Sequence, residues 1–239
     1  RMKICRTMRF FCLSLPRVKF NLLLGNKAFS GRKAFETAEK FFDSHPSSVI
    51  ISNHQSHLDL MCLLALSPSI IVLTNRWTQK TPVYGGIIRK AGYLCTDDGI
   101  DANGEFFRRI KDKDCSLLVF PEGTRSADCT VLKFKSGAFA ICASQQADLI
   151  PVVLFGPGEI LPKGEHIIRR GRTVVEIKDI VSCSSLPDFG PRPLKQAQTM
   201  HHLYEDWYGN LKLLVYAYNG FSHKRKKDKD LYKAENEIV

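Results

Sequence analysis

Short β-branched or apolar runs recur along the chain at Val49 to Ser52, Ile70 to Thr74, Tyr93 to Thr96, Ser116 to Phe120, Ile150 to Phe155 and Thr173 to Ile177. Runs this short and this apolar predict buried strands. Between them, Leu58 to Leu66, Pro82 to Lys90, Ala102 to Ile110 and Gly137 to Gln145 read as helices. Strands alternating with helices predict an α/β fold, a mixed and mostly parallel sheet flanked by helices in a single domain. Leu194 to Ala217 carries apolar residues at helical spacing and predicts one or two closing helices. Beyond Asn219-Gly220 the chain becomes "HKRKKDKDLYKAENEIV", too charged to pack. The expected division is a basic amphipathic helical segment over 1–45, an α/β core over 46–182, C-terminal helices over 183–221 and a charged tail over 222–239.

Composition narrows this picture. A chain of 239 residues, 44% of them hydrophobic, can bury one sizeable core. It begins with Arg1 rather than Met, which suggests a segment of a longer protein. The net charge is +11, and residues 1–35 hold nine Lys or Arg and no acid, so that end is expected to face an anionic surface. Its basic residues interleave with Phe10, Phe11, Leu13, Leu15, Phe20 and Leu22 to Leu24. Two readings fit equally: a segment lying on a membrane interface, and a first helix packed on the core. Arg17 and Lys19 break the pattern of a signal peptide, and no stretch reaches the ~18 apolar residues that a bilayer span needs.

Eight cysteines are scattered without a CxxC pair or a His at metal-ligand spacing, so no metal site is indicated and a reducing compartment is expected. No helix-turn-helix, zinc or aromatic RNA-binding signature accompanies the charge, and nucleic acid is not expected as a partner.

The candidate chemistry begins at "VIISNHQSHLDL", residues 49–60. A strand ending at Ser52 puts Asn53-His54 at its carboxyl end, where ligand sites of open α/β sheets collect. A helix starting near Ser56 carries Asp59 in its first turn. The intervening turn can bring Asp59 to one ring nitrogen of His54 and leave the other as a base. Taken alone, the stretch reads rather as a polar turn with a capping Ser or Asn. Further on, "LLVFPEGTRS" (117–126) is an apolar strand that delivers an acid, a glycine and an arginine to the same edge, a place suited to a phosphate. An ordinary turn with an exposed Arg125 is the alternative. "GPGEILPKG" (156–164) fits neither phosphate-loop pattern and reads as a loop. "HIIRRGR" (166–172) reads as a basic turn between strands, and His201-His202 as surface residues without a ligand set.

Together these blocks resemble the glycerolipid acyltransferases, typified by lysophosphatidic acid (1-acyl-sn-glycerol-3-phosphate) acyltransferase. "NHQSHLD" (53–59) matches the family's NHxxxxD block, and "KTPVYGGIIRKAGYLCTDDG" (80–99) is similar to the second. "FPEGTRS" and "LIPVVL" (149–154) follow as the third and fourth, in the family's order. The resemblance implies an O-acyltransferase that moves a fatty acyl group from acyl-CoA or acyl carrier protein to the hydroxyl of a lyso-glycerolipid, with no cofactor beyond that co-substrate. His54 would be the general base and Asp59 its orienting partner. Glu122, Gly123, Thr124, Arg125 and Ser126 would bind substrate, with Glu122, Gly123 and Arg125 positioning the acceptor head group. His57 is the rival base, but the block's register assigns the role to His54. No GxSxG occurs, in keeping with direct transfer. The resemblance also implies peripheral association with a membrane, on its cytoplasmic face, where the lipid acceptor lies.

One departure bears on the acceptor. The second block commonly ends in a phosphate-binding arginine, and here Asp98, beside Asp97, occupies that position. An acidic pair repels a phosphate. Arg76, Arg89 and Lys90 are the cations that would compensate. Lysophosphatidate is the expected acceptor, with a non-phosphate lyso-lipid such as an aminolipid as the alternative. A thioesterase using the same pair on water is a third reading.

Overall fold

The computed structural model describes residues 1–15, 18–74, 94–95, 108, 112 and 115–219. The second block apart from Leu94 and Cys95, with Arg76, Arg89, Lys90, Asp97 and Asp98, lies outside the described residues. So do the helix expected over 82–90, nearly all of that over 102–110, and the charged tail.

Helix α1 (Met2–Ser14) is followed by a hairpin of β1 (Val18–Leu24) and β2 (Lys27–Ser30), then α2 (Gly31–Asp43). Strand β3 (Val49–Ser52) leads into α3 (His57–Leu64), then come β4 (Ile70–Thr74) and β5 (Leu94–Cys95). Strand β6 (Ser116–Val119) precedes α4 (Gly137–Gln145), β7 (Leu149–Phe155) and the single turn α5 (Pro157–Ile160). Strand β8 (Gly171–Ile177), a 3-10 turn (Cys183–Phe189) and the long α6 (Pro193–Asn219) complete the order.

The described strands form one sheet in the order β2-β1-β8-β7-β3-β6-β4-β5. Strands β7, β3, β6, β4 and β5 run parallel, β8 is antiparallel to β7, and β1 is parallel to β8. Every residue of β3, β6 and β7 is buried, as expected of strands covered on both faces. The expected mixed, mostly parallel α/β sheet is what forms.

Two expectations need correction. Residues 1–45 are not helical throughout, because β1 pairs in register with β8 from Val18↔Gly171 to Leu24↔Ile177. Phe20 and Leu22 alternate onto the core, where Phe20 stacks on Phe35 of α2 with ring centroids 4.5 Å apart. The reading of 156–164 as loop holds only beyond Ile160, since Pro157 starts a helical turn.

Pro151 in the middle of β7 has no N–H to give to the ladder, a gap that central strands rarely tolerate. The buried hydroxyl of Tyr204 on α6 fills it, donating to the Ile51 carbonyl at 2.8 Å and accepting from the Val152 N–H at 2.9 Å. The closing helix is thus bonded into the sheet at the strand that carries the candidate site. On the opposite side, Arg9 of α1 donates to the carbonyls of Ala65 and Leu66 just past α3 and pairs with Glu39 of α2. One of the nine N-terminal cations is therefore structural.

Candidate active site

Strand β3 ends at Ser52, and Asn53 extends its pairing by side chain. The Asn53 amide donates to Leu154 O and accepts from Leu154 N, both at 2.8 Å. That fixes the direction in which the chain leaves the sheet toward His54. Ser56 then caps α3: its Oγ accepts from Leu58 N–H at 3.2 Å, while the Asp59 carboxylate accepts from Ser56 N–H at 2.7 Å. This is a capping box with Asp in the acidic position.

The same oxygen, Asp59 Oδ2, also accepts from Gln55 N–H at 2.6 Å and lies 2.9 Å from His54 Nδ1. Asp59 is 1% exposed, so its charge is buried and held by three donors. A carboxylate at Nδ1 fixes the tautomer with the proton on that nitrogen and leaves the Nε2 lone pair as a base. The ring lies flat against Phe120, centroids 4.0 Å apart and 20° between planes. The polar capping turn and the candidate catalytic pair are therefore one object: the cap holds the acid that lies at the histidine.

The FPEGTRS turn leaves β6, the parallel neighbour of β3, at the same edge. Glu122 is 4% exposed and its two oxygens accept from His54 N–H at 2.8 Å and Leu132 N–H at 3.1 Å. Ser126 N–H returns a bond to the His54 carbonyl at 2.8 Å. Burial raises the Glu122 carboxyl to about 8 against the opposing pull of those two N–H groups. Both Glu122 oxygens thus tie the main chain of the His54 turn to that of the loop after FPEGTRS. Ser126 is likewise turned inward, its hydroxyl donating to Asp128 Oδ1 at 2.8 Å.

Gly123 makes the tight turn at φ 70°, its N–H donating to Phe120 O at 3.0 Å. A Cβ there would stand 2.6 Å from Lys135 Nζ, so the glycine brings a lysine ammonium against the turn. Thr124 is exposed and Arg125 half-buried. The His57 imidazole is pushed below its ordinary value by partial burial, then by the Arg125 guanidinium and His54. Asp59 is spent on His54 Nδ1, which agrees with the register in preferring His54 over His57. Lys163 Nζ donates to the Arg125 carbonyl at 2.7 Å.

Reading the sequence missed Phe120, Lys135, Lys163 and the Tyr208 hydroxyl, which donates to Gln55 Oε1 at 3.1 Å. Phe120 opens the FPEGTRS block, but a face-to-face contact with His54 has no signature in spacing. His201 needs correction too: its ring is packed on Phe134, and Glu205 lies 3.6 Å from His201 Nε2 and 3.0 Å from His202 Nδ1. Among the described residues no disulfide forms, and burial raises Cys5 and Cys129 to about 11 and Cys142 to about 12, far from thiolates at neutral pH.

Known proteins resemble parts of this chain. The chain is 32% identical over 148 residues to the chloroplastic 1-acyl-sn-glycerol-3-phosphate acyltransferase LPAT1 of Arabidopsis thaliana, covering 59% of this chain and 41% of that one. It is 30% identical over 178 residues to 1-acyl-sn-glycerol-3-phosphate acyltransferase alpha of Mus musculus, covering 71% and 62% respectively. The chain thus spans less than half the length of the plant relatives it matches. The crystal structure of PlsC, the 1-acyl-sn-glycerophosphate acyltransferase of Thermotoga maritima, superposes with a TM-score of 0.64 at 18% identity, over 88% of this chain and 77% of that one. The family model described as Acyltransferase matches residues 33–155, from α2 through the His54 turn and the FPEGTRS turn to the end of β7, and the chain belongs to that family.

Proposed function

We propose that this protein transfers a fatty acyl group from an acyl thioester to the hydroxyl of a lyso-glycerolipid, with His54 as general base. The reading rests most directly on the 2.9 Å approach of His54 Nδ1 to the buried Asp59. Nε2 takes the acceptor's proton as its oxygen attacks the thioester carbonyl, the C–O bond forms and the C–S bond breaks. The proton passes from the imidazolium to the departing sulfur, and Asp59 stabilises the imidazolium meanwhile. No covalent enzyme intermediate and no cofactor beyond the acyl-CoA or acyl carrier protein co-substrate is required. The raised thiol of the neighbouring Cys129 supports direct transfer.

The activity for which the relatives are named and the cations Arg125, Lys135 and Lys163 around the turn favour lysophosphatidate as acceptor. The acidic Asp97-Asp98 pair favours a second reading, a non-phosphate lyso-lipid. Thiol release measured with lysophosphatidate and with an uncharged or amino lyso-lipid separates the two. Stimulation by lysophosphatidate supports the first, and stimulation only by the other lipid supports the second. Acceptor-independent release at full rate contradicts both and leaves a thioesterase.

The acceptor is a membrane lipid, and we infer peripheral attachment to the cytoplasmic face. Helix α1 buries Cys5, Met8 and Cys12 and leaves Met2, Lys3, Arg6, Phe10 and Leu13 outward, with Phe10 72% exposed. Such a basic and apolar stripe suits a membrane interface. Phe20 and Leu22 belong to the core instead. Among the described residues no helix is long and apolar enough to cross a membrane.

A further inference from the structure

The segment from the end of α5 into the first residues of β8 carries four Lys or Arg against one Glu over residues 162–172, and two large apolar side chains in the open. Ile167 is 76% exposed and Ile168 40%, the former the most exposed large apolar side chain among the described residues. Two adjacent isoleucines facing water are costly unless something covers them.

The loop beneath them is built rather than loose. Pro162 to Glu165 forms a turn closed by Glu165 N–H to Pro162 O at 3.1 Å, with Gly164 at φ 88° in the position where a type II turn needs it. Arg169 N–H donates to the buried Ile160 carbonyl at 2.8 Å and closes the base. Across the tip, the Arg169 guanidinium grips both oxygens of Glu165 at 2.7 and 2.6 Å. That pair brackets Ile167 and Ile168 and cancels the only acid. Lys163, Arg170 and Arg172 remain as net positive charge beside the exposed pair, with His166 next to it.

The base is stitched to both blocks of the candidate site. Ser56, the cap that holds Asp59, donates its hydroxyl to the Leu161 carbonyl at 2.7 Å, and Lys163 reaches the Arg125 carbonyl. The position of the tip is thus tied to that of His54 and Arg125.

We propose that residues 162–172 form an interfacial loop that seats Ile167 and Ile168 in an anionic lipid bilayer, with Arg170 and Arg172 on the headgroups, and so brings the lipid acceptor to His54. The occupant follows from the charge: apolar tips flanked by cations complement an anionic bilayer, whose surface potential draws each cation while its acyl boundary takes the isoleucines. The proposal rests on the acyl-transfer reading for its purpose, but its test does not.

The full chain is sedimented with vesicles of phosphatidylcholine, with and without phosphatidylglycerol. Ile167→Ser/Ile168→Ser is expected to lower partition to anionic vesicles by about tenfold, and Arg170→Ala by about fivefold, with a shallower salt dependence. Ile167→Trp is expected to add a blue-shifted emission on anionic vesicles, quenched by brominated lipid, above the signal of the two native tryptophans. Partition unchanged in the double serine variant, or an Ile167→Trp emission that vesicles do not move, overturns the proposal. So does binding that responds to Arg170→Ala alone. Thiol release from a soluble short-chain thioester with a soluble short-chain lyso-lipid acceptor, without vesicles, reports the chemistry separately. A chain whose partition depends on the isoleucines but which turns nothing over upholds the loop and sinks the acyl-transfer reading.

Discussion

The main-chain N–H of His54 donates to the carboxyl group of Glu122, 68 residues on, at 2.8 Å, across the boundary between two strands that are neighbours in the sheet. Glu122 also holds Leu132 N–H, so one buried side chain ties the histidine turn to the loop that follows FPEGTRS. Glu122→Ala is expected to remove about 1–3 kcal/mol of stability, since it takes the acceptor from two part-buried N–H groups. Turnover of the variant should fall even well below its melting temperature. Calorimetry and thiol release on one preparation check both.

The raised Glu122 carboxyl has a consequence for pH. The folded state keeps its proton up to about 8 while the unfolded chain releases it near the ordinary value of 4.5. Between those values the folded state binds more protons, so this group's contribution to stability falls as pH rises. Glu122→Gln should flatten the decline in melting temperature across that window. A decline of equal slope in both proteins contradicts the assignment.

Asp59→Asn tests a different property of the turn. The amide preserves shape but presents a poorer partner to three donors that converge on Oδ2. A loss of about 100-fold or more in kcat is expected, from the wrong tautomer of His54, with about 1–2 kcal/mol of stability lost from the cap. Steady-state kinetics with a melting curve separates the two effects.

Tyr204→Phe asks whether the hydroxyl bridge over Pro151 holds the sheet. Its loss leaves the Val152 N–H and Ile51 carbonyl short of a partner and is expected to cost about 1–3 kcal/mol. Urea denaturation would show a lower midpoint with an unchanged slope.

Much of this architecture is legible because buried parallel strands are written as apolar runs. Residues 49–52, 70–74 and 116–119 need no more than that, and α4 occupies the range its apolar residues mark. The β1–β2 hairpin escapes this logic, although Gly25-Asn26 between apolar runs is a turn signal. The basic residues around it suggest a surface segment, and only pairing with β8, nearly 150 residues on, makes Val18–Leu24 part of the core. At the site, local spacing shows only that a turn can bring Asp59 to His54, and their roles are legible from the resemblance of the ordered blocks rather than from this stretch alone. Glu122's inward role is not, because the donors that occupy it come from His54 and Leu132, which no spacing rule links to it. Ser126 differs for a related reason: Asp128, two residues on, claims its hydroxyl.

The most direct test of the account is the rate of free-thiol release from a long-chain acyl-CoA in mixed micelles containing a lyso-lipid acceptor, compared between the native chain and His54→Ala. Acceptor-dependent release that falls by about 100-fold or more in the variant, with an unchanged melting temperature, is the predicted result. Equal rates in the two proteins would contradict His54 as the base and with it the proposed mechanism.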